Sequence, residues 1–182
     1  VMDRGIGEVI EALKENDIYE NTLIFFLSDN GGPQPNLKTG KGGNASSNLP
    51  FRGGKGNLYD GGVHVPFIAT WPAKIPAGTT YESPVNSLDI ARTAVEVGGA
   101  NASVQPTMEG VNLIPYVLGE KDSAPHEAIF WRGGTNKFWS ILSSDKMKYL
   151  KDKDSGQAEA ELFHLLNDIT ESTDVADQQS ER

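Results

Sequence analysis

An aspartate and an asparagine follow an apolar run near the start of the chain, and their side chains could bind a metal ion. The run TLIFF is followed by LSDNGG, which places Asp29 and Asn30 at the carboxyl end of an expected strand. Ligands of open α/β sheets bind at such ends, and carboxylate and amide oxygens suit Ca²⁺ or Mg²⁺. The same residue types also dominate surface turns. Two ligands alone cannot complete a calcium site, which takes about six to eight oxygens.

A second group of candidates lies in the glycine-rich stretch FRGGKGNLYDGGVH, residues 51–64. Lys55 is flanked by glycines and could present its ammonium to an anion at a backbone-lined site, or it could be a solvated loop lysine. The same two interpretations apply to Arg52. Asp60 is expected to form an Asx turn. The histidines show no metal-ligand spacing and are expected to be surface or packing residues: His64, His126 and His164.

Composition and charge limit the classes of function. The chain has 182 residues, a formal net charge of −9 and no cysteine. Without cysteine, disulfides, thiolate metal sites and a cysteine nucleophile are excluded within this chain. The acidic balance and the lack of a basic stripe argue against nucleic acid as a partner. No apolar run approaches the ~20 residues that a membrane span needs.

The elements that would position these residues predict a layered α/β domain. Apolar residues at helical spacing predict a first helix, with Asp3 as its N-cap. Residues 23–27 and 65–71 are apolar enough to be buried strands and are expected to be parallel. A further helix is predicted over residues 87–97, ended by a glycine pair.

The segment between the two strands is longer than an ordinary connection and carries four glycine pairs. These pairs lie at positions 31–32, 42–43, 53–54 and 61–62. A connection of this length is usually functional or disordered, and paired glycines indicate that the backbone passes close to another group or adopts positive φ.

The last third of the chain predicts a small antiparallel β-unit after a boundary near residues 119–125. Three β-prone stretches are HEAIFWR, KFWSIL and KMKYLK, while AELFHLL could be a strand or a helical turn. In KMKYLK, Lys146 and Lys148 are expected to face solvent. The aromatic cluster is expected to fill the small core, with an edge that could stack on a sugar: Phe130, Trp131, Phe138 and Trp139. The predicted domains are 1–120 and 121–182.

Taken in order, these segments resemble the C-terminal part of a type I sulfatase of the alkaline phosphatase-like superfamily. The resemblance runs through NTLIFFLSDNGG, SNLPFRGGKGNLYDGGVHVPFIATWPAKIPAG, SLDIARTAVEVGGA and MEGVNLIPYVLGE, and more loosely through ELFHLLNDITE. It covers essentially the whole chain, and GGKGNLYDGGVHVPF is its most specific part. The fold that the resemblance implies is the C-terminal part of a layered α/β domain followed by a small antiparallel sheet with a helix.

The resemblance also implies a site. It assigns Asp29 and Asn30 as ligands of an active-site Ca²⁺ and Lys55 to a sulfate oxygen, with Arg52 and His64 expected among the substrate-binding residues. The family's nucleophile is a formylglycine made within a C/S-x-P/A-x-R motif in its N-terminal portion. This chain contains no such motif. The 182-residue chain alone is therefore expected to be inactive. Two departures are His64, where the family often has arginine, and Arg92, where it often has proline.

The expected function is thus that of a piece of a sulfuric ester hydrolase acting on sulfate monoesters, with sulfated sugars as candidate substrates. One alternative is a phosphodiesterase or phosphonate hydrolase of the same superfamily, because both ester types are tetrahedral anions. Another is a non-catalytic module that binds carbohydrate or a protein. The expected partners are the N-terminal portion of the catalytic domain and a sulfated small molecule or carbohydrate, and exposed strands favour self-association. The resemblance implies a periplasmic or secreted protein.

Overall fold

The structure, a computed structural model, describes residues 1–35, 46–100, 108–133, 138–152 and 159–178. The helices in these ranges are α1 (Met2–Glu15), α2 (Asp60–Val63), α3 (Leu88–Val97) and α4 (Ile114–Val117). The strands are β1 (Ile24–Leu27), β2 (Phe67–Thr70), β3 (Ala128–Arg132), β4 (Trp139–Ser143), β5 (Met147–Lys151) and β6 (Glu161–His164). Short 3-10 turns cover Tyr19–Asn21 and Ala176–Gln178.

The described residues form two compact units that follow packing rather than chain order. The first contains residues 1–27, 67–82 and 88–122, and the second contains residues 28–66, 83–87 and 123–182. The long glycine-rich connection therefore packs with the C-terminal sheet. The position of a domain boundary along the chain stays a prediction. Within the described ranges, every helix is too short or too polar to span a membrane.

In the first unit, β1 and β2 form a two-stranded antiparallel sheet. Ile24 pairs with Thr70 and Leu27 pairs with Phe67. The prediction of parallel strands was wrong. An unbroken apolar run indicates that both faces of a strand favour burial, and it carries no information about the direction of the neighbouring strand.

Helix α1 forms where its apolar spacing predicts it, but its start differs from the prediction. Val1 occupies the N-cap position without a side-chain cap, and Asp3 lies in the first turn. An acid there still favours the helix dipole, so Asp3 acts through charge rather than through capping. The apolar residues Ile6 and Val9 are exposed, and no residue of α1 is buried among the described residues.

Helix α3 confirms the prediction to within one residue, and two of its polar side chains are fully buried. Asp89 accepts a hydrogen bond from the backbone N–H of Val111 at 2.9 Å, and the Thr93 hydroxyl accepts one from Leu113 at 3.0 Å. These bonds satisfy the buried side chains and fasten the segment before α4 to the helix.

The second unit contains the predicted antiparallel sheet, with strand order β3-β4-β5-β6. The three β-prone stretches and the ambiguous AELFHLL all form strands. The core cluster on one face combines Leu150 and Phe163 with Tyr59 from the glycine-rich connection. The sheet therefore packs against the segment that carries the candidate site residues.

The alternation in β5 has the predicted period but the opposite faces. Lys148 is 0% exposed and shares the buried face with Leu150, whereas Tyr149 is 43% exposed. The prediction that Lys148 faces solvent was wrong, because buried carboxylates on other segments compensate its charge. Phe130 of the aromatic cluster is 70% exposed, so it does not fill the core.

Candidate functional site

Three of the glycine pairs pack against one another and form what we call the glycine core: Gly31, Gly32, Gly53, Gly54, Gly61 and Gly62. The N–H of Gly31 donates to the carbonyl of Gly62 at 3.0 Å. A Cβ atom on Gly31 would lie 1.7 Å from the Gly61 oxygen, and one on Gly54 would lie 2.5 Å from the Gly32 oxygen. This confirms the prediction of close backbone approach. The pair at 42–43 lies outside the described residues.

The glycine core yields a direct stability prediction. A Cβ atom on Gly61 would lie 2.4 Å from the Gly53 oxygen and 2.5 Å from the Arg52 oxygen, both backbone atoms that cannot rotate away. We expect Gly61→Ala to destabilise the protein by about 1–3 kcal/mol or more, since overpacking forces the backbone apart. Gly7→Ala is the control, because no atom lies within 4 Å of its added Cβ and alanine favours helix α1. Equal melting temperatures for the two variants would contradict the packing argument.

Asp29 and Asn30 follow β1 on the loop that enters the glycine core. The Asn30 side-chain nitrogen donates to the Gly31 carbonyl at 2.9 Å, and the Ser28 hydroxyl donates to the Asn30 carbonyl at 2.9 Å. The first bond orients the amide and leaves its oxygen available as an acceptor. The exposed Asp29 carboxylate makes no hydrogen bond or ion pair with the residues that the structure describes.

Lys55 lies on the neighbouring loop, which the glycine core holds against the Asp29 loop. Its backbone N–H donates to the Gly32 carbonyl at 3.1 Å. Its side chain is exposed, and its ammonium forms no ion pair within the described parts of the chain. One backbone hydrogen bond thus links the loop with two candidate metal ligands to the loop with a candidate anion-binding cation.

Arg52 and His64 have partners within the unit. The Arg52 guanidinium donates to the Glu171 carbonyl at 2.8 Å and lies 3.9 Å from the centre of the Tyr59 ring. His64 Nδ1 lies 3.0 Å from Asp60 Oδ2, and its ring is 4.4 Å from that of Phe51. A role in substrate binding stays a prediction for both residues.

Sequence reasoning missed a buried charge cluster next to the glycine core, formed by Asp60, Lys148 and Glu171. Lys148 Nζ donates to Asp60 Oδ1 at 2.6 Å and lies 2.8 Å from Glu171 Oε1. The other Glu171 oxygen accepts the backbone N–H of Asp60 at 2.7 Å. Asp60 was predicted to form an Asx turn, and it instead begins helix α2 while being 4% exposed. The shared face of Lys148 and the apolar Leu150 was the signal that could have revealed a buried lysine.

The pKa values of the two carboxylates in the buried charge cluster shift in opposite directions. Burial acts to raise the pKa of Asp60, but the hydrogen bond with His64 and the nearby Lys148 ammonium outweigh it, so the pKa of Asp60 lies below its usual value. Burial raises the pKa of Glu171, and Lys148 offsets this only in part. The cluster therefore favours the ionised form of Asp60 and disfavours that of Glu171.

Two further acids bind the segment before α2: Glu161 of β6, and Asp152, which directly follows β5. The Tyr59 hydroxyl donates to Glu161 at 2.5 Å, and the backbone N–H of Leu58 donates to Asp152 at 2.6 Å. Both carboxylates are nearly fully buried. The C-terminal sheet therefore holds the segment 57–60, which in turn supports the glycine core.

The donor set around Asp29 fits a hard cation but does not complete a site. Carboxylate and amide oxygens are the ligands that Ca²⁺ prefers. Across the residues that the structure describes, no group of three or more histidine, aspartate or glutamate side chains could hold a metal ion. That Asp29 and Asn30 bind Ca²⁺ stays a prediction.

Comparison with known proteins identifies the family. The family model described as "Sulfatase" matches residues 1–100. The chain belongs to the sulfatase family. Among sulfatase relatives, mouse steryl-sulfatase is 34% identical over 129 residues, and the arylsulfatase of Hemicentrotus pulcherrimus is 37% identical over 130 residues. Each alignment covers 71% of this chain but only 21% and 22% of the respective relative.

Solved structures that match this chain confirm the fold. A crystal structure of Ps i-CgsB in complex with k-i-k-neocarrahexaose matches 98% of this chain and 38% of that chain, with a TM-score of 0.82 and 34% identity. The PsFucS1 sulfatase from Pseudoalteromonas sp. matches 92% of this chain and 35% of its own, with a TM-score of 0.72 and 27% identity. The mixed α/β architecture with antiparallel sheets is thus that of part of a sulfatase.

Proposed function

We propose that this chain forms part of an enzyme that hydrolyses sulfate monoesters, and that it supplies one side of the metal and sulfate site. The observation that carries the proposal is the hydrogen bond from Lys55 N–H to the Gly32 carbonyl, which joins the lysine loop to the loop of Asp29 and Asn30. Membership of the sulfatase family gives this pairing its chemical meaning. The chain spans about a fifth of the length of the curated relatives above, so further parts of the site would lie outside it.

In this proposal Asp29 and Asn30 would bind Ca²⁺, which when bound supplies a Lewis acid that polarises sulfate oxygens. Lys55 binds a sulfate oxygen as a compact positive charge. Negative charge increases on the sulfate and leaving-group oxygens during ester cleavage. A preorganised cation therefore stabilises the transition state more than it stabilises the bound substrate. The glycine core provides the preorganisation, because it fixes the backbone on both sides of Lys55.

The nucleophile would come from outside this chain. The chain has no cysteine, and no serine lies four residues before any of its arginines, so it lacks the C/S-x-P/A-x-R motif that yields formylglycine. We expect the purified 182-residue chain to show no hydrolysis of 4-nitrophenyl sulfate above the buffer blank, with or without Ca²⁺. Sustained turnover by the chain alone would contradict the proposal that its nucleophile lies elsewhere.

We propose a sulfated carbohydrate as the substrate class. The support is the similarity over 98% of this chain to Ps i-CgsB, which was crystallised with a neocarrahexaose. The full-length protein that carries this chain can be assayed with sulfated oligosaccharides, a steroid sulfate, 4-nitrophenyl sulfate and 4-nitrophenyl phosphate. We expect the sulfated oligosaccharides to give the highest kcat/KM. A preference for the phosphate ester would favour the phosphodiesterase or phosphonate hydrolase alternative, and a preference for the steroid sulfate would replace the carbohydrate.

Loss of a metal ligand should be measurable without catalysis. We expect Asp29→Ala to weaken Ca²⁺ binding to the full-length protein by at least about tenfold in isothermal titration calorimetry, since ligand charge sets calcium affinity. Asp122→Ala is the control, because Asp122 is an exposed carboxylate outside the candidate site. Equal calcium affinities for the two variants would remove Asp29 from the metal site.

A further inference from the structure

One side-chain amide bridges the two loops that carry the candidate site. The Asn48 oxygen accepts a hydrogen bond from the Gly32 N–H at 2.8 Å. Its nitrogen donates to the Gly32 carbonyl at 2.9 Å and to the Gly53 carbonyl at 3.1 Å. Gly32 lies two residues after Asn30, and Gly53 lies two residues before Lys55. Asn48 therefore forms hydrogen bonds with both loops.

We propose that Asn48 is a positioning residue that fixes Lys55 relative to Asp29 and Asn30. The inference rests on the proposed function, in which Lys55 and the Ca²⁺ held by Asp29 and Asn30 must meet at one sulfate group. Asn48 itself touches neither the metal nor the sulfate in this proposal. It acts through the backbone of Gly32 and Gly53.

The chemistry of the bridge requires an amide. An amide offers one acceptor oxygen and two N–H donors, and Asn48 uses the oxygen and the nitrogen together. A carboxylate would keep the acceptor but lose both donors, and would place negative charge beside two carbonyl oxygens. The Gly32 carbonyl also accepts the Lys55 N–H at 3.1 Å, so the amide and the lysine backbone bind the same oxygen.

The packing around the amide leaves it little freedom to move. A Cβ atom on Gly32 would lie 3.0 Å from the Asn48 oxygen, and one on Gly54 would lie 2.8 Å from its nitrogen. The half-buried Asn48 side chain therefore fits against glycine backbone on both sides. Without it, the Gly32 N–H and the Gly53 carbonyl lose these hydrogen bonds, and the link between the loops weakens.

The test uses two variants of Asn48 in the full-length protein. Asn48→Asp has the same shape without the donors, and Asn48→Ser keeps a short acceptor without the amide. The control is Asn167→Asp, which makes the same charge change at an exposed residue of the same unit. The readouts are kcat and KM for 4-nitrophenyl sulfate, the Kd for Ca²⁺, the melting temperature, and amide hydrogen exchange of peptides covering Gly32 and Lys55.

We expect both Asn48 variants to fold, to lose about 10- to 100-fold in kcat/KM and in Ca²⁺ affinity, and to exchange faster in both loops, as losses of supporting contacts around metal ligands do. Asn167→Asp, which changes only an exposed contact with His164, should match the wild type in kcat/KM, in Ca²⁺ affinity and in exchange of both loops. Wild-type kcat/KM and Ca²⁺ affinity in either folded Asn48 variant would overturn the inference, and so would failure of both variants to fold. A wild-type protein that neither binds Ca²⁺ nor cleaves the aryl sulfate would overturn the proposed function and this inference with it.

Discussion

Replacing Lys55 by alanine in the full-length protein is expected to reduce kcat/KM for an aryl sulfate by about 10²- to 10³-fold, which is the usual cost of removing one preorganised electrostatic stabiliser. The ammonium forms no ion pair with the described residues, so its removal should leave the fold intact. The loss should therefore appear in kcat/KM while the melting temperature stays close to that of the wild type.

The matched control for this variant is Lys14→Ala. Lys14 is also a surface lysine, and its exposed pair with Glu11 at 2.9 Å contributes little to stability. Lys55→Arg adds a second comparison, because a planar guanidinium retains the charge but not the compact shape of an ammonium. If Lys55→Ala and Lys14→Ala retain the same kcat/KM, Lys55 does not act on the sulfate group.

Replacing Lys148 by methionine should have the largest effect on stability. Methionine removes the cation between Asp60 and Glu171 but leaves both acids buried. Breaking a buried ion pair in this way typically costs about 3–5 kcal/mol, because an uncompensated charge remains inside the protein. We therefore expect a clearly lower melting temperature, together with faster hydrogen exchange in the segment 57–64.

Glu171→Gln tests how much of the stability of this cluster depends on Glu171 rather than on Asp60. The pKa of Glu171 is raised by burial, so its ionised form contributes less than that of Asp60, and glutamine can still accept the Asp60 N–H. We expect Glu171→Gln to lower the melting temperature much less than Lys148→Met does. Lys121→Met is the control for the loss of a surface lysine. A Lys148→Met protein as stable as Lys121→Met would contradict the assignment of a buried ion pair.

Acid should weaken the same cluster. The folded-state pKa of Asp60 lies below its ordinary value, so its contribution to stability is present above the ordinary pKa of an aspartate. That contribution is lost as the pH falls through the lower folded-state pKa. Glu171 has the opposite sign: its raised pKa means that protonation favours the folded state. The loss of stability caused by protonation of Asp60 should therefore be clearer in acid unfolding of Glu171→Gln than in acid unfolding of the wild type.

Local patterns in the sequence predicted most of the secondary structure. The strands of the C-terminal sheet and helix α3 follow from alternation, helical spacing and glycine stops, all of which act within a few residues. The direction of β2 relative to β1 did not follow, because an apolar run lacks that information. The side of β5 on which Lys148 lies was also missed, because its carboxylate partner Asp60 is 88 positions away in the chain.

The candidate site could likewise be predicted only in part from the sequence. Asp29, Asn30 and Lys55 stood out through residue type, glycine context and family resemblance. The contacts that support the surrounding backbone could not be predicted, because the contact of Glu171 with Asp60 spans 111 positions and that of Asn48 with Gly32 spans 16. The glycine pairs indicated that the backbone had to approach something closely. Only the structure shows that the pairs approach one another.

The most direct test is a crystal structure of the full-length protein with Ca²⁺ and a sulfate ester bound. We expect a calcium ion about 2.3–2.6 Å from side-chain oxygens of Asp29 and Asn30, with Lys55 Nζ within hydrogen-bonding distance of a sulfate oxygen. Calcium and sulfate bound away from these three residues would contradict it.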